Sequence, residues 1–525
     1  MTPGEPFSHV SETPTRPATN GGAPQFDVED LYRGPLATAT TGTAAALDEK
    51  LRQAYFWVVN QAVISPHYDI EYDDGPSETF YFGDSKVPVH LPSGQSYSSF
   101  ILLPFLTFAT RGRCLFVGGP GRGKTQSAVL MGILAGYSVD DVRRGMQHGH
   151  PQMTVADLLG NPLPADLVGA QSMDDIRIAW RHWLSMRVKI IDEYNRIPTR
   201  TQSALLTVMG DGYAELLDHV YECPPSAWYL TANDDIGGGT YPVIEALRDR
   251  IDVVVMALAF NSRFLGDLLL RVEQSLRPED LVPKSLMFTP DECDELDRQV
   301  RAVSVPADVR RRLEFFASQF EFCETAGDQL EYRTKDTVRL AGGDYHLVAS
   351  RDTGRDVIRD IGVQTSNGLS VRSLMTILHY SKALAYFRGQ EEVSLEDVRH
   401  IVPFALRHKL APDAETRYLQ EDANQMLASD RVSWLRRLFD LASAEYDRLD
   451  LDRDDPVADL KAQMARGLDG VTTEQARAQL VQIERLMAEW SAGKKLYGNL
   501  YDDLLQLKYI HQRYTNYLAW LEWAS

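Results

Sequence analysis

The chain has 525 residues, which at about 100–200 residues per domain suggests two to four domains. Hydrophobic residues make up 44% and charged residues 24%, an ordinary globular profile that excludes a chain disordered throughout. A net charge of −20 argues against a general polyanion binder, and four dispersed cysteines (114, 223, 293 and 323) argue against a disulfide framework or cysteine zinc site and fit a reducing cytoplasm.

Residues 1 to about 45 are rich in Thr, Pro, Gly and Ala. They bury too little to offset their ordering entropy, which predicts a disordered leader without an export signal. Leu47, Leu51, Tyr55, Val58 and Val59 then fall on one side of a helix predicted over 44–63. Residues 66–92 alternate apolar with polar and read as irregular or β-like. The run Phe100–Ala109 is ten residues long and contains Pro104. A membrane helix needs about 20, so this run predicts a buried helix.

From Arg113 onward strands alternate with helices. Strands are predicted at 114–117, 188–191, 228–231 and 253–257, and helices at 125–134 and 202–209, the pattern of a parallel sheet covered on both faces. Between the first strand and its helix lies Gly118-Gly119-Pro120-Gly121-Arg122-Gly123-Lys124-Thr125. It satisfies G-x-x-x-x-G-K-[ST], the Walker A phosphate loop, in the context that confirms the motif. Glycines let backbone N–H groups converge on a phosphate chain, and the following helix start adds its positive dipole end. Residues 118 to 126, including Gln126, form the expected nucleotide cradle. Lys124 is expected to neutralise the β- and γ-phosphates, and the Thr125 hydroxyl to ligate Mg²⁺. The histidines of His148-Gly149-His150 lack an acid at ligand spacing, so the stretch reads as a loop.

The strand at 188–191 runs into Asp192 and Glu193, a Walker B pattern. Asp192 is expected to hold Mg²⁺ through water and Glu193 to polarise the attacking water. The strand at 228–231 runs into Asn233, placed to reach the γ-phosphate or that water. Beyond 258 the chain reads as helical, with capping boxes at Thr289–Glu292 and Ser394–Asp397. A small β-hairpin insertion is expected at about 325–360. The helices after 413 carry many aromatics. Ile510, Tyr514, Tyr517 and Leu521 form one stripe, which reads as the core of a small bundle or as a docking surface.

These motifs together resemble an AAA+ ATPase, and more narrowly the MoxR family. The resemblance rests on Asp192-Glu193-Tyr194-Asn195-Arg196-Ile197-Pro198 with Thr201–Leu206, and on Gly239-Thr240-Tyr241-Pro242 with Glu245, Ala246, Asp249 and Arg250. It rests also on Ser370–Ser373, Glu396–Val398 and Leu406–Leu410. Asp234 and Asp235 depart from it, standing where the family commonly has proline. The implied fold is α/β: an AAA+ core with a parallel sheet, an all-α lid with a small β insertion, and an extra C-terminal helical domain. The expected divisions are 1–45, 46–258, 259–412 and 413–525.

The resemblance implies Asn233 as first sensor and Arg250 as the arginine finger entering a neighbour's site, with Arg248 ranked second. It implies Arg372 as the sensor that the lid brings onto the γ-phosphate. Arginine suits both tasks because its planar fork clamps phosphate oxygens. The implied activity is hydrolysis of ATP with Mg²⁺ by a ring, a hexamer in its expected form, acting as a remodelling chaperone. The implied partner is a protein client, reached through a protein with a von Willebrand factor A domain; neither nucleic acid nor membrane is expected as a partner. A nucleotide-gated scaffold in a defence or signalling complex and a nucleic-acid motor are the competing readings.

Overall fold

A computed structural model describes residues 46–525, apart from 63–66, 73–77, 84–85, 92–93, 170–174, 234–243, 261, 276, 323–360, 366, 414–415, 423, 453–456, 494–498 and 525. The expected leader and the 325–360 insertion lie outside the described residues. So do Cys323, Asp234, Asp235 and the stretch 239–242.

Helix α1 (Leu47–Trp57) forms where Leu51, Ala54, Tyr55 and Val58 recur three or four residues apart, and a π turn over Val58–Ala62 extends it. The apolar run becomes α2 (Ser99–Thr110), buried on almost every side. Pro104 sits inside α2, and its carbonyl accepts a 2.8 Å hydrogen bond from the Tyr229 hydroxyl.

The central sheet contains β1 (Arg113–Val117), β2 (Gln147–His148), β3 (Val188–Asp192), β4 (Ala227–Ala232) and β5 (Val253–Met256). Its order is β5-β1-β4-β3-β2, and every neighbouring pair is parallel. Side chains alternate between two cores, as the period of a strand requires. Cys114, Phe116, Ile190, Tyr229 and Val255 face one core, whereas Leu115, Ile191, Trp228, Leu230 and Val254 face the other. The four expected strands are present. The fifth, β2, corrects the loop expected around His148-Gly149-His150. It is two residues long, polar and at the sheet edge, so no apolar run announces it.

Helix α3 (Lys124–Leu134) follows β1, α4 (Thr199–Asp211) follows β3, and the short α5 (Glu245–Arg250) precedes β5. Beyond the sheet come α6 (Pro290–Ala302), α7 (Ala307–Ser318), α8 (Val371–Phe387) and α9 (Leu395–Leu406). Both expected capping boxes are formed, at Thr289/Glu292 and Ser394/Asp397.

Helix α8 packs against α2 and the N-terminal end of the sheet. Its Tyr380 hydroxyl lies 2.9 Å from that of Thr107, and its Thr376 hydroxyl donates to Asp252 Oδ1 at 2.7 Å. Helix α10 (Arg431–Arg448) buries Trp434, Leu435, Leu438 and Phe439 in the same core as α9. The division expected at 412–413 therefore falls inside one packed unit. A separate core begins at Val457 and holds α11 (Ala458–Ala465), α12 (Thr473–Gly493) and α13 (Asn499–Ala524) together.

In α13 the buried stripe is Leu507, Ile510, Tyr514 and Leu518, with Tyr517 partly buried against it. Leu521 is only half-buried, a shift from the expected stripe, and Trp520 and Trp523 face outward. Tyr497 and the side chain of Tyr501 lie outside the described residues. Among the described residues, no helix is long and apolar enough to cross a membrane.

Candidate active site

The loop between β1 and α3 folds as its glycines permit. Gly121 and Gly123 have φ of +72° and +76°, the left-handed region that side chains with a Cβ rarely adopt. Lys124 begins α3 and is buried. Its ammonium donates to the carbonyls of Gly118 (2.6 Å) and Gly119 (2.7 Å) and to Asn233 Oδ1 (2.9 Å). Arg122 folds back beside Gly119 and donates to the Ala257 carbonyl at 3.0 Å, tying the loop to the chain after β5. Gln126 turns to Glu279, which also lies 3.8 Å from Arg143.

Parallel strands end on the same side of a sheet, so β1, β3 and β4 deliver their C-terminal residues to one place. Thr125 Oγ1 donates to Asp192 Oδ1 at 2.8 Å, and Thr231 Oγ1 donates to the same oxygen at 2.6 Å. Thr231 in turn accepts the Glu193 N–H at 2.9 Å. Asn233 Nδ2 donates to Glu193 Oε1 at 2.9 Å. One hydrogen-bonded set thus contains Lys124, Thr125, Asp192, Glu193 and Asn233, and Thr231 is its unforeseen member. Alternation along β4 could have found it, because Thr231 is a lone polar side chain two residues before Asn233.

His148 and Gly149 were also missed. Pairing of β2 with β3 sets His148 opposite Asp192, with Nδ1 3.4 Å from Asp192 Oδ2. The Gly149 N–H donates to the Asp192 carbonyl at 2.8 Å, and a Cβ on Gly149 would collide with the Glu193 carbonyl. Among the described residues, no group of three His, Cys, Asp or Glu side chains is placed to hold a metal ion. Thr125 and Asp192 instead offer hard oxygens at the mouth of the loop, a set that fits Mg²⁺ completed by phosphate and water.

The arginines lie elsewhere. Arg372, at the start of α8, donates to Asp249 Oδ2 at 3.0 Å, and Ser370 donates to Oδ1 of the same carboxylate at 2.7 Å. Burial opposes ionisation of Asp249, but Ser370, Arg372 and the Lys409 charge hold its carboxyl below the usual range. Arg250 lies over Gly210 of α4, and its buried Nε has no hydrogen-bond partner among the described residues. Neither Asp249 nor Asp252 claims it. Asp252 instead accepts from the Arg113 backbone N–H at 2.8 Å, with the Arg113 guanidinium 3.4 Å away.

Arg113 opens β1, whereas the phosphate loop follows its last residue, Val117. The five residues of β1 span roughly 16 Å at about 3.3 Å each. Arg372 is therefore not on its own subunit's phosphate loop, which corrects the expectation that the lid lays it there. The reason is the packing of α8 on α2 and Asp252, at the far end of the strands. His408, beyond α9, donates through Nε2 to the Arg248 carbonyl at 2.9 Å and ties this end together.

A family model for AAA, the ATPase family associated with various cellular activities, matches residues 113–253, and an AAA lid domain model matches 361–427. The chain is 23% identical over 303 residues to Chaperone MoxR1 of Mycobacterium tuberculosis, covering 57% of this chain and 68% of that protein. The matched segments are an AAA+ ATPase core and its lid, and the likeness among named proteins is to a MoxR chaperone. ATP hydrolysis is therefore its activity. A crystal structure of a candidate ATPase from Cytophaga hutchinsonii aligns at 19% identity over 64% of this chain and 89% of that one, with a TM-score of 0.44. Within this ATPase, the AAA match begins at β1 and ends as β5 begins, and the lid match includes α8 and α9.

Proposed function

We propose that this ATPase works as an oligomeric ring that remodels a protein client, hydrolysing ATP at the C-terminal ends of β1, β3 and β4. The observation that carries the site is the single hydrogen-bonded set joining Lys124, Thr125, Asp192, Glu193 and Asn233. Residues 118–126 cradle the phosphates. Lys124 exchanges its loop carbonyls for phosphate oxygens, a low-cost swap because both are acceptors. Thr125 and Asp192 would hold Mg²⁺, which would supply charge neutralisation on the phosphate oxygens. Glu193 takes the proton of the attacking water as its oxygen bonds to the γ-phosphorus. The bond to the β–γ bridging oxygen breaks, giving ADP and phosphate. Asn233 orients Glu193. Positioning and charge dominate such a transfer.

Arg250 and Arg372 serve the site of the next subunit. Their place at the opposite end of the strands supports that reading, because neither reaches its own phosphate loop. A finger in trans makes assembly a catalytic requirement, and a hexamer is the form we favour. The likeness to a chaperone supports a protein client; the family resemblance of the motifs adds a von Willebrand factor A domain protein as the adaptor, and the dispersed cysteines fit the cytoplasm. The shared core supports a revised division: an α/β core to about 258, a helical lid to about 452, and a C-terminal bundle from 457.

The direct test is Glu193→Gln. The expected result is loss of ATP turnover with binding of a fluorescent ATP analogue intact. Unimpaired turnover would overturn the assignment of Glu193.

A further inference from the structure

Glu193 stands in an unusual backbone conformation, with φ of +53°. For a residue with a Cβ this is uncommon and costs energy, so the surroundings must hold it. Three contacts do so. The Glu193 N–H is bound to Thr231, its carbonyl packs on Gly149, and the 3₁₀ turn Tyr194–Arg196 follows at once, anchored by buried Tyr194 and Ile197. A 3₁₀ turn has three residues per turn, so positions three apart eclipse. That geometry sets Arg196 above Glu193. The Arg196 N–H donates to the Glu193 carbonyl at 2.9 Å, and its Nε lies 3.3 Å from Glu193 Oε2.

The two carboxylate oxygens thus have different partners, Oε1 Asn233 and Oε2 Arg196. Each oxygen keeps a further lone pair for water. The pair of contacts fixes the plane of the carboxylate without blocking it. Among the described residues, Glu193 is the only ion-pair partner of the Arg196 guanidinium.

We propose that Arg196 is a positioning residue for hydrolysis, orienting Glu193 of its own subunit towards the attacking water. The proposal rests on Glu193 acting as the base. Arg196 acts through Glu193 and touches neither phosphate nor water. It differs in this from Arg250, which is read as crossing to a neighbour.

The test measures steady-state turnover and ATP-analogue affinity in the full-length chain for wild type, Arg196→Ala, Arg196→Lys and Glu193→Gln, and in mixtures of the first and last variants. A misplaced reacting group can cost on the order of 10²-fold in rate. Arg196→Ala is expected to lower kcat by roughly that factor while KM and analogue affinity stay within about twofold, the split of an interaction used in the transition state. Arg196→Lys keeps the cation and is expected to recover part of the loss, which separates positioning from a folding defect. Mixing Arg196→Ala with Glu193→Gln is expected to restore nothing, since both act in one subunit. Normal kcat in Arg196→Ala, loss confined to ATP affinity, or recovery on mixing would each overturn the proposal. Full turnover in Glu193→Gln would instead overturn the assignment of the base, a separate failure.

Discussion

The two ends of the central sheet carry different chemistry. The C-terminal ends of β1, β3 and β4 gather a lysine, two carboxylates, two hydroxyls and an amide into one connected set. The N-terminal end gathers Arg113, Arg250 and Arg372 with Asp249 and Asp252. The first end is complete in its polar contacts. The second leaves the Arg250 Nε buried without a hydrogen-bond partner among the described residues. The difference teaches how such a subunit can be a poor enzyme alone. On the proposed reading it offers one half of a site at each end, and stacking a second copy would bring the halves together.

The largest expected effect breaks this comparison at its centre. If Arg250 is the finger, Arg250→Ala should lower turnover by about 10³–10⁵, the range for arginine fingers in nucleotide hydrolases. Mixing it with Glu193→Gln should recover activity, because sites pairing an intact Glu193 with a neighbour's intact Arg250 would form. No recovery in co-assembled rings would return Arg250 to its own subunit.

A smaller loss is expected for Arg372→Ala. Removing one donor from a transition-state clamp costs about 10²–10³ in rate. It should lie at the lower end, because Arg372 must first leave Asp249. Turnover equal to wild type, measured at saturating ATP, would leave Arg372 as a structural ion pair.

The smallest effect concerns stability at the arginine end. Burial pushes the His408 imidazole down to about 3, aided by the neighbouring Lys409 charge. The folded state therefore keeps His408 neutral while the unfolded state takes up a proton below about pH 6.5. The stability tied to neutral His408 is present above that pH and is lost progressively as pH falls towards about 3. His408→Gln should flatten the pH dependence of the urea midpoint across this window. An unchanged slope would mean that other groups govern the acid response.

Much of the fold was legible because the buried strands are short apolar runs bounded by polar turns. Cys114–Val117 and Trp228–Thr231 show this plainly. The phosphate loop was legible because its glycines, lysine and threonine are contiguous. His148 and Gly149 were not, because what gives them a role is pairing with β3, some 40 residues later. Arg372 was misplaced for a related reason. Its motif names a residue type, but where α8 docks is decided by Thr376 on Asp252 and Tyr380 beside Thr107.

The packing of α10 beside α9 was not legible, because helical periodicity says which face is apolar and not which partner covers it. Trp434 and Phe439 of α10 could have served a separate domain, yet they fill the core beside α9. The sequence by itself determined the parallel α/β core, the cradle at 118–125 and the acids at 192 and 193, since each is written in local pattern. Tertiary structure alone decided that Thr231, Asn233 and Arg196 surround the acids, and that Arg250 and Arg372 lie at the other end of the strands. Local sequence carries backbone preference and polarity, whereas the meeting of distant side chains depends on which strands pair and which helices pack.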